Sequence, residues 1–243
     1  MERIFGLHSV VAALRSGREC RRLWLQDNRR DARLHDIESR AVADDIPVER
    51  VPRKELDQLA GDPHHQGVVG EFGAAVGPAS LEVLLDALDE PPFLLVLDGV
   101  QDPHNLGACL RTADAAGVHA VIAPKDRACG ITPVVRKVAA GAAETLPFFA
   151  VTNLARTLKD LKARGVWLAG AAGEAEQEIY TLDLKGPLAI VMGAEGEGLR
   201  RLTRDSCDWL VRLPMAGSVE SLNVSVATGI CLFEAVRQRR GSS

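Results

Sequence analysis

The sequence predicts an α/β protein in two parts: a second half built on a mostly parallel sheet, and a smaller α/β unit ahead of it. Three observations predict this. From residue 93 onward the strand-like runs are apolar without alternation, as in strands buried on both faces. Segments of helical period separate most of these runs. A stretch at 74–92, AAVGPASLEVLLDALDEPP, carries Gly and Pro around a short apolar helix and reads as a linker.

In the first part, VVAALR (10–15) has a helical pattern and RRLWLQ (21–26) a strand pattern. The segment 29–45 reads as a helix with Leu34, Ile37 and Val42 as its apolar positions. IPVERV (46–51) and QGVVGEF (66–72) read as further strands. The expected division is 1–75 for this domain, 76–92 for the linker and 93–243 for the second domain.

In the second part the expected strands are 93–100, 119–124, 145–151, 166–172, 187–193 and 209–215. A helix over 105–117 ends at Gly117, a residue suited to the position just past a helix. Another over 152–165 opens with Thr152 as N-cap and closes at Gly165. The chain finishes in an apolar-rich helix over 221–240, whose basic last turn suits the negative end of its dipole or an RNA contact.

Hydrophobic residues make up 47% and charged residues 26%, which excludes disordered and fibrous classes. The net charge of −4 confines any nucleic-acid contact to a segregated face. Aromatics at 4% are too few for a base-stacking sheet. Five cysteines without CxxC spacing argue against both a disulfide frame and a cysteine zinc site. With no leader pattern and no apolar run of about 20 residues, a cytoplasmic protein without a membrane span or a metal is expected.

In parallel α/β sheets ligands bind beyond the carboxyl ends of strands. Three segments there exceed what connectors need. DGVQDPHNLGACLRTADAAG (98–117) gathers Asp98, Asp102, His104, Asn105 and Arg111. Its chemistry-free reading has Asn105 as N-cap and Arg111 paired with Asp114. MGAEGEGL (192–199) spaces glycines as GxxGxG, and its Glu195 and Glu197 would repel a pyrophosphate, so a neutral or cationic ligand suits it better. A plain strand–helix turn is the alternative. LPMAGSVESLNVSVATG (213–229) crowds Ser218, Ser221, Asn223 and Ser225 at a helix entrance, more polar groups than capping requires. There is no GxSxG, P-loop or HExxH pattern. His64 and His65 read as solvated or RNA-facing.

These three segments, in this order, resemble the motifs of the SpoU-type RNA 2'-O-ribose methyltransferases of the SPOUT class. The likeness extends through HAVIAPKDRACGITPVVRKVAAGAAETLPFFAVTNLARTL and the N-terminal IFGLHSVVAALRSG and HQGVVGEF. It is strongest to the bacterial branch that methylates a guanosine in the peptidyl-transferase loop of 23S rRNA. The resemblance implies S-adenosylmethionine as cofactor, an L30-like RNA-binding domain, a deep trefoil knot in the catalytic domain, and a homodimer with its active site near the subunit interface. It assigns Arg111, Asn105, Glu195, Ser221 and Asn223 to catalysis. Gly193, Gly196, Leu213, Met215 and Leu222 fall to the cofactor, largely through main chain. LPMAG stands where the pattern has an isoleucine first, an apolar exchange at a backbone contact. The implied reaction needs charge stabilisation at a ribose oxygen, and a guanidinium, which holds its proton, suits that better than a general-base role for Arg111.

Residues 1–75 carry 11 Arg and 1 Lys against 13 Asp and Glu, so this domain is not basic overall. Arg15, Arg18, Arg21 and Arg22 are clustered and form the candidate phosphate grip, with Arg29, Arg30 and Arg33 as a second cluster. Two alternatives stand beside the main expectation: a tRNA 2'-O-ribose methyltransferase, and an RNA-binding ribosome-assembly factor without catalysis.

Overall fold

The computed structural model describes residues 1–74 and 77–241. The chain forms two compact units, Met1–Gly77 with Arg136–Thr145, and Pro78–Val135 with Leu146–Ser243. The expected boundary between residues 75 and 76 lies outside the described residues.

The first unit contains β1 (Glu2–Phe5), α1 (Leu7–Arg15), β2 (Cys20–Gln26), α2 (Ala32–Ala43), β3 (Val48–Val51), α3 (Arg53–Ala60) and β4 (Val68–Phe72). The sheet order is β1-β4-β2-β3. β4 runs antiparallel to β1 and β2, and β3 runs parallel to β2. Strand alternation explains two cores. Leu23, Leu25 and Val68 point to the face packed by Leu7 and Val10 of α1 and Leu34 and Ile37 of α2. Trp24 and Val69, of opposite parity, meet Leu56 of α3. Val42 departs from the expected apolar stripe. It is exposed, and Ala41 takes the buried position one residue earlier.

Three expectations fail in this unit. Arg18 is no surface cation: its side chain is 1% exposed and pairs with Glu144, itself fully buried, and with Glu2. Arg18 also donates to the Gly73 carbonyl. Glu144 belongs to α7 (Ala142–Thr145) and is shared with Arg136, which also holds Glu2. A stretch expected within the second domain is thus part of the first unit. Burial commits Arg18 to these carboxylates, because an unpaired buried guanidinium is too costly. His65 is buried, not solvated. The Gly67 N–H donates to its Nδ1, so its own proton sits on Nε2, facing Asp57. His64 is exposed and contacts Asp62.

The second unit holds a seven-stranded sheet, every pairing of which is parallel. Its strands are β5 (Phe93–Asp98), β6 (Ala120–Pro124), β7 (Phe148–Val151), β8 (Trp167–Ala171), β9 (Gln177–Glu178), β10 (Leu188–Gly193) and β11 (Trp209–Arg212), in the order β7-β6-β5-β10-β8-β11-β9. Its helices are α4 (Leu81–Asp86), α5 (Pro103–Ala115), α8 (Leu154–Ala163), α9 (Arg201–Ser206) and α10 (Val224–Arg240), with a 3-10 turn at Ile179–Thr181; α6 (Pro133–Ala139) spans the division between the units at Val135 and Arg136. Leu94, Val96, Ala189 and Val191 pack against Leu154, Leu158 and Leu161 of α8, with Leu81 and Leu84 of α4. Each such buried Leu or Val contributes about 1.5–3 kcal/mol. Leu81 and Leu84 therefore make much of the expected linker a part of this core.

Local signals decide the helix ends. Gly117 and Gly165 have positive φ of 73° and 79°, as expected just past a helix. The α8 cap is Asn153, not Thr152: Asn153 Oδ1 accepts the Arg156 N–H. Asp102 caps α5 through the His104 N–H, which leaves Asn105 free of that duty. α10 begins at Val224, three residues later than expected. Its basic end is tied to the protein. Gln238 exchanges hydrogen bonds with the Leu182 carbonyl and the Leu184 N–H. Arg239 donates to the carbonyls of Leu184 and Gly186 and lies 4.4 Å from the Phe93 ring centroid.

Candidate active site at the carboxyl edge of the parallel sheet

β5 and β10 are neighbours in register, with Asp98 opposite Gly193. Chain direction reverses its advance here. β6 and β7 lie to one side, and β10, β8 and β11 to the other, which makes this edge the crevice where parallel sheets take ligands.

After β10 the chain makes a tight loop. Ala194 and Gly198 exchange backbone hydrogen bonds of 3.1 and 2.9 Å. A Cβ at Gly193 would stand 2.1 Å from the carbonyl carbon of Gly198, so only glycine permits this closure. The loop lifts Glu195 and Glu197 into solvent at its tip.

Three polar side chains from the three segments meet above it. Asn105, buried in the first turn of α5, donates from Nδ2 to Glu195 Oε2 at 3.1 Å. Asn223 donates from Nδ2 to Asn105 Oδ1 at 2.9 Å and lies 3.4 Å from Glu195 Oε1. The other end of the Asn223 amide caps α10: its Oδ1 accepts the Ser225 N–H at 2.9 Å and the Ser225 hydroxyl at 2.6 Å. Capping thus aims the Asn223 NH2 group at the cluster. α5 and α10 pack side by side below it, with the Cys109 thiol 3.6 Å from the Thr228 hydroxyl.

The remaining expected residues are placed differently. Arg111 is exposed and lies six residues beyond Asn105 on α5, about 9 Å along the axis by helix geometry. Among the described residues it makes no ion pair within 4.0 Å. Gly193 and Gly196 sit in the loop after β10. Leu213, Met215, Ser221 and Leu222 lie on the irregular segment joining β11 to α10. Among the described residues, the main chain of 213–222 makes no backbone–backbone hydrogen bond, which leaves its N–H and C=O groups open to a ligand. Arg15, Arg21 and Arg22 belong to the first unit. Arg22 pairs loosely with Glu49 at 3.6 Å, both side chains being about half exposed.

Sequence reading gave no role to Asp98 or to Arg200. Asp98 ends an apolar strand, which was the available signal; Arg200 carries none, as one of two adjacent arginines. The Cys109 thiol is pushed up to about 11, and those of Cys207 and Cys231 to about 12, all by burial, so these thiols are not nucleophiles.

Comparison with known proteins identifies this arrangement. The model described as the SpoU rRNA Methylase family matches residues 92–233, and that described as RNA 2'-O ribose methyltransferase substrate binding matches residues 3–75. The 23S rRNA (guanosine-2'-O-)-methyltransferase RlmB of Pseudomonas putida is 58% identical over 243 residues, covering 99% of this chain and 98% of that protein. The protein of the same name from Ralstonia nicotianae is 59% identical over 237 residues, covering 97% and 95%. Among solved structures, an RNA 2'-O ribose methyltransferase superposes with a TM-score of 0.81 at 27% identity, covering 98% of this chain and 88% of that one. The AdoMet-bound rRNA methyltransferase of Sinorhizobium meliloti gives 0.78 at 29% identity, covering 97% and 86%. With its parallel sheet, its three converging segments and a family model over most of its length, the chain belongs to the SpoU rRNA methylase family.

Proposed function

We propose that this chain transfers a methyl group from S-adenosylmethionine to the 2'-oxygen of a guanosine ribose in 23S rRNA, in the peptidyl-transferase loop, during rRNA processing and ribosome biogenesis. The observation that carries the reading is the junction of Asn105, Glu195 and Asn223 beside a glycine-closed loop. Near-full-length likeness to proteins named for that reaction supports the substrate.

The residues present fit the cofactor. Glu195 and Glu197 favour a cation over a polyphosphate, and the open main chain of 213–222 can meet polar ligand edges. Gly193, Gly196, Leu213, Met215 and Leu222 would hold it. When bound, S-adenosylmethionine supplies a methyl carbon whose bond to sulfur breaks, with the electron pair kept by sulfur, as the bond to oxygen forms. The 2'-hydroxyl gives its proton to water or to an RNA phosphate. Arg111, exposed and without a carboxylate partner among the described residues, is suited to grip the neighbouring phosphate and stabilise charge developing on the ribose oxygen. Asn105 and Asn223 orient the sugar, with Ser221 beside them. Holding donor and acceptor in line is the larger contribution, about 7–11 kcal/mol in well-aligned reactions.

The first unit is the L30-like RNA-binding domain, with Arg15, Arg21 and Arg22 on phosphates. The chain works as a cytoplasmic homodimer whose active site lies near the subunit interface. Exposed Val226 and Phe233 of α10 offer an apolar face for a second copy. A trefoil knot in the second unit is supported by the ties from Gln238 and Arg239 to residues 182–186. Incubation with methyl-labelled S-adenosylmethionine and either naked 23S rRNA or bulk tRNA tests the reading. Label is expected at one guanosine ribose of the rRNA; label in tRNA alone would reject the substrate.

A further inference from the structure

The carboxyl edge of the sheet holds a charge pair that the chemistry above does not use. Asp98 closes β5 with a fully buried side chain. Its Oδ2 accepts the main-chain N–H of Arg200 at 3.0 Å. Its Oδ1 has no hydrogen bond and lies 3.4 Å from Nη1 of the same arginine. A carboxylate buried this deeply costs several kcal/mol unless a counter-charge faces it, so Asp98 depends on Arg200.

Arg200 also reaches a third segment. Its Nη2 donates to the Arg127 carbonyl at 3.3 Å, and Arg127 adopts the left-handed conformation with φ of 55°. Gly99 makes room for this guanidinium: a Cβ there would stand 3.0 Å from Nη2. β6, β5 and β10 are consecutive neighbours, and the segments that leave their carboxyl ends carry Arg127, Asp98 and Arg200. One side chain therefore laces all three. Arg200 is also the residue directly after the glycine loop, so fixing its N–H fixes where that loop ends. The position of Glu195 relative to Asn105 follows from it.

We propose that Asp98 and Arg200 form a positioning pair that holds the glycine loop in its ligand-binding shape and so sets affinity for the cofactor without touching it. The link to the cofactor rests on the proposed function; the link to the loop does not. Lys in place of Arg200 would keep a charge near Asp98 but lose the fork that serves two partners.

The test uses the full chain and its Arg200→Gln and Arg200→Lys variants. Both variants keep the Arg200 main-chain N–H on Asp98 Oδ2 and Arg200→Lys keeps the counter-charge, so thermal midpoints are measured first and Kd is compared well below them. Titration calorimetry with S-adenosylmethionine measures Kd, and amide hydrogen exchange measures the loop. Arg200→Gln is expected to raise Kd about tenfold, equivalent to roughly 1.4 kcal/mol. Arg200→Lys should fall between it and the unaltered chain. Faster exchange should be confined to 194–200 and 127–130. An unchanged Kd in Arg200→Gln overturns the proposal, as does faster exchange spread evenly over the second unit, which marks a general structural loss. If the unaltered chain binds no S-adenosylmethionine, the cofactor assignment fails instead, and the exchange pattern still decides whether the pair positions the loop.

Discussion

Glu144→Gln should unfold the first unit more readily than any surface substitution. Glu144 is fully buried and serves Arg18, itself 1% exposed, and Arg136. The glutamine fills the same space but removes the only buried negative charge of the cluster. Arg18 keeps Glu2 at 3.0 Å and the Gly73 carbonyl, and Arg136 keeps Glu2 at 2.8 Å. Removing one partner of a buried ion pair costs about 3–5 kcal/mol, and these surviving contacts place the loss near 3 kcal/mol. For a unit of this size about 1 kcal/mol moves the melting midpoint by roughly 4–8 °C, so a fall of roughly 12–24 °C is expected. Urea titration with amide exchange read in β2 reports this unit alone. Replacing Arg18 and Glu144 together with Met, which removes both charges, should lie closer to the unaltered chain than Glu144→Gln does. A loss below about 0.5 kcal/mol for Glu144→Gln would refute the reasoning, because a charge that cheap to delete is not holding the cluster.

Other perturbations address the site and the pH response. Gly193→Ala forces the backbone at Gly198 to move and should abolish cofactor binding at concentrations that saturate the unaltered chain. Gly196→Ala, with only a positive φ of 81° against it, should cost roughly 1–2 kcal/mol of stability and bind more weakly, not fail. Asn105→Ala removes the bridge between Glu195 and Asn223, two hydrogen bonds of which one is to a carboxylate, and should lower methyl transfer by about 10- to 100-fold, as about 1.5–3 kcal/mol predicts; single-turnover rates check it. Desolvation holds the His65 imidazole below its ordinary 6.5. The unfolded chain therefore takes up a proton that the folded one refuses, and stability should fall as pH drops below about 6.5. Thermal midpoints across pH 5–8 should show that slope, flattened in His65→Gln.

Much of the parallel sheet was legible because strands buried on both faces leave an unalternated apolar signature, as in FLLVLD and LAIVM. Their order was not, since the placement of β10 between β5 and β8 is settled by packing of side chains far apart in sequence. Short elements such as β1, β9, α3 and α9 carry too few residues to show a period. Arg18 was misread for a physical reason: it lies in a run of exposed arginines, and the carboxylate that buries it is 126 residues away. At the site, the motif order located Asn105, Glu195 and Asn223, but the hydrogen bonds between them arise only when α5 and α10 pack together. Asp98 and Arg200 remained silent because their partnership spans 102 residues.

Arg111 bears the central claim most directly, because it is exposed and, among the described residues, makes no ion pair that would hold it for structural reasons. Methylation of 23S rRNA by Arg111→Ala, measured in single turnover with saturating labelled S-adenosylmethionine, is the decisive measurement. The account predicts unchanged cofactor Kd and a rate lower by about 100-fold or more, as loss of a charge-stabilising donor costs roughly 2.7–4 kcal/mol. Near-normal turnover with intact cofactor binding would contradict it.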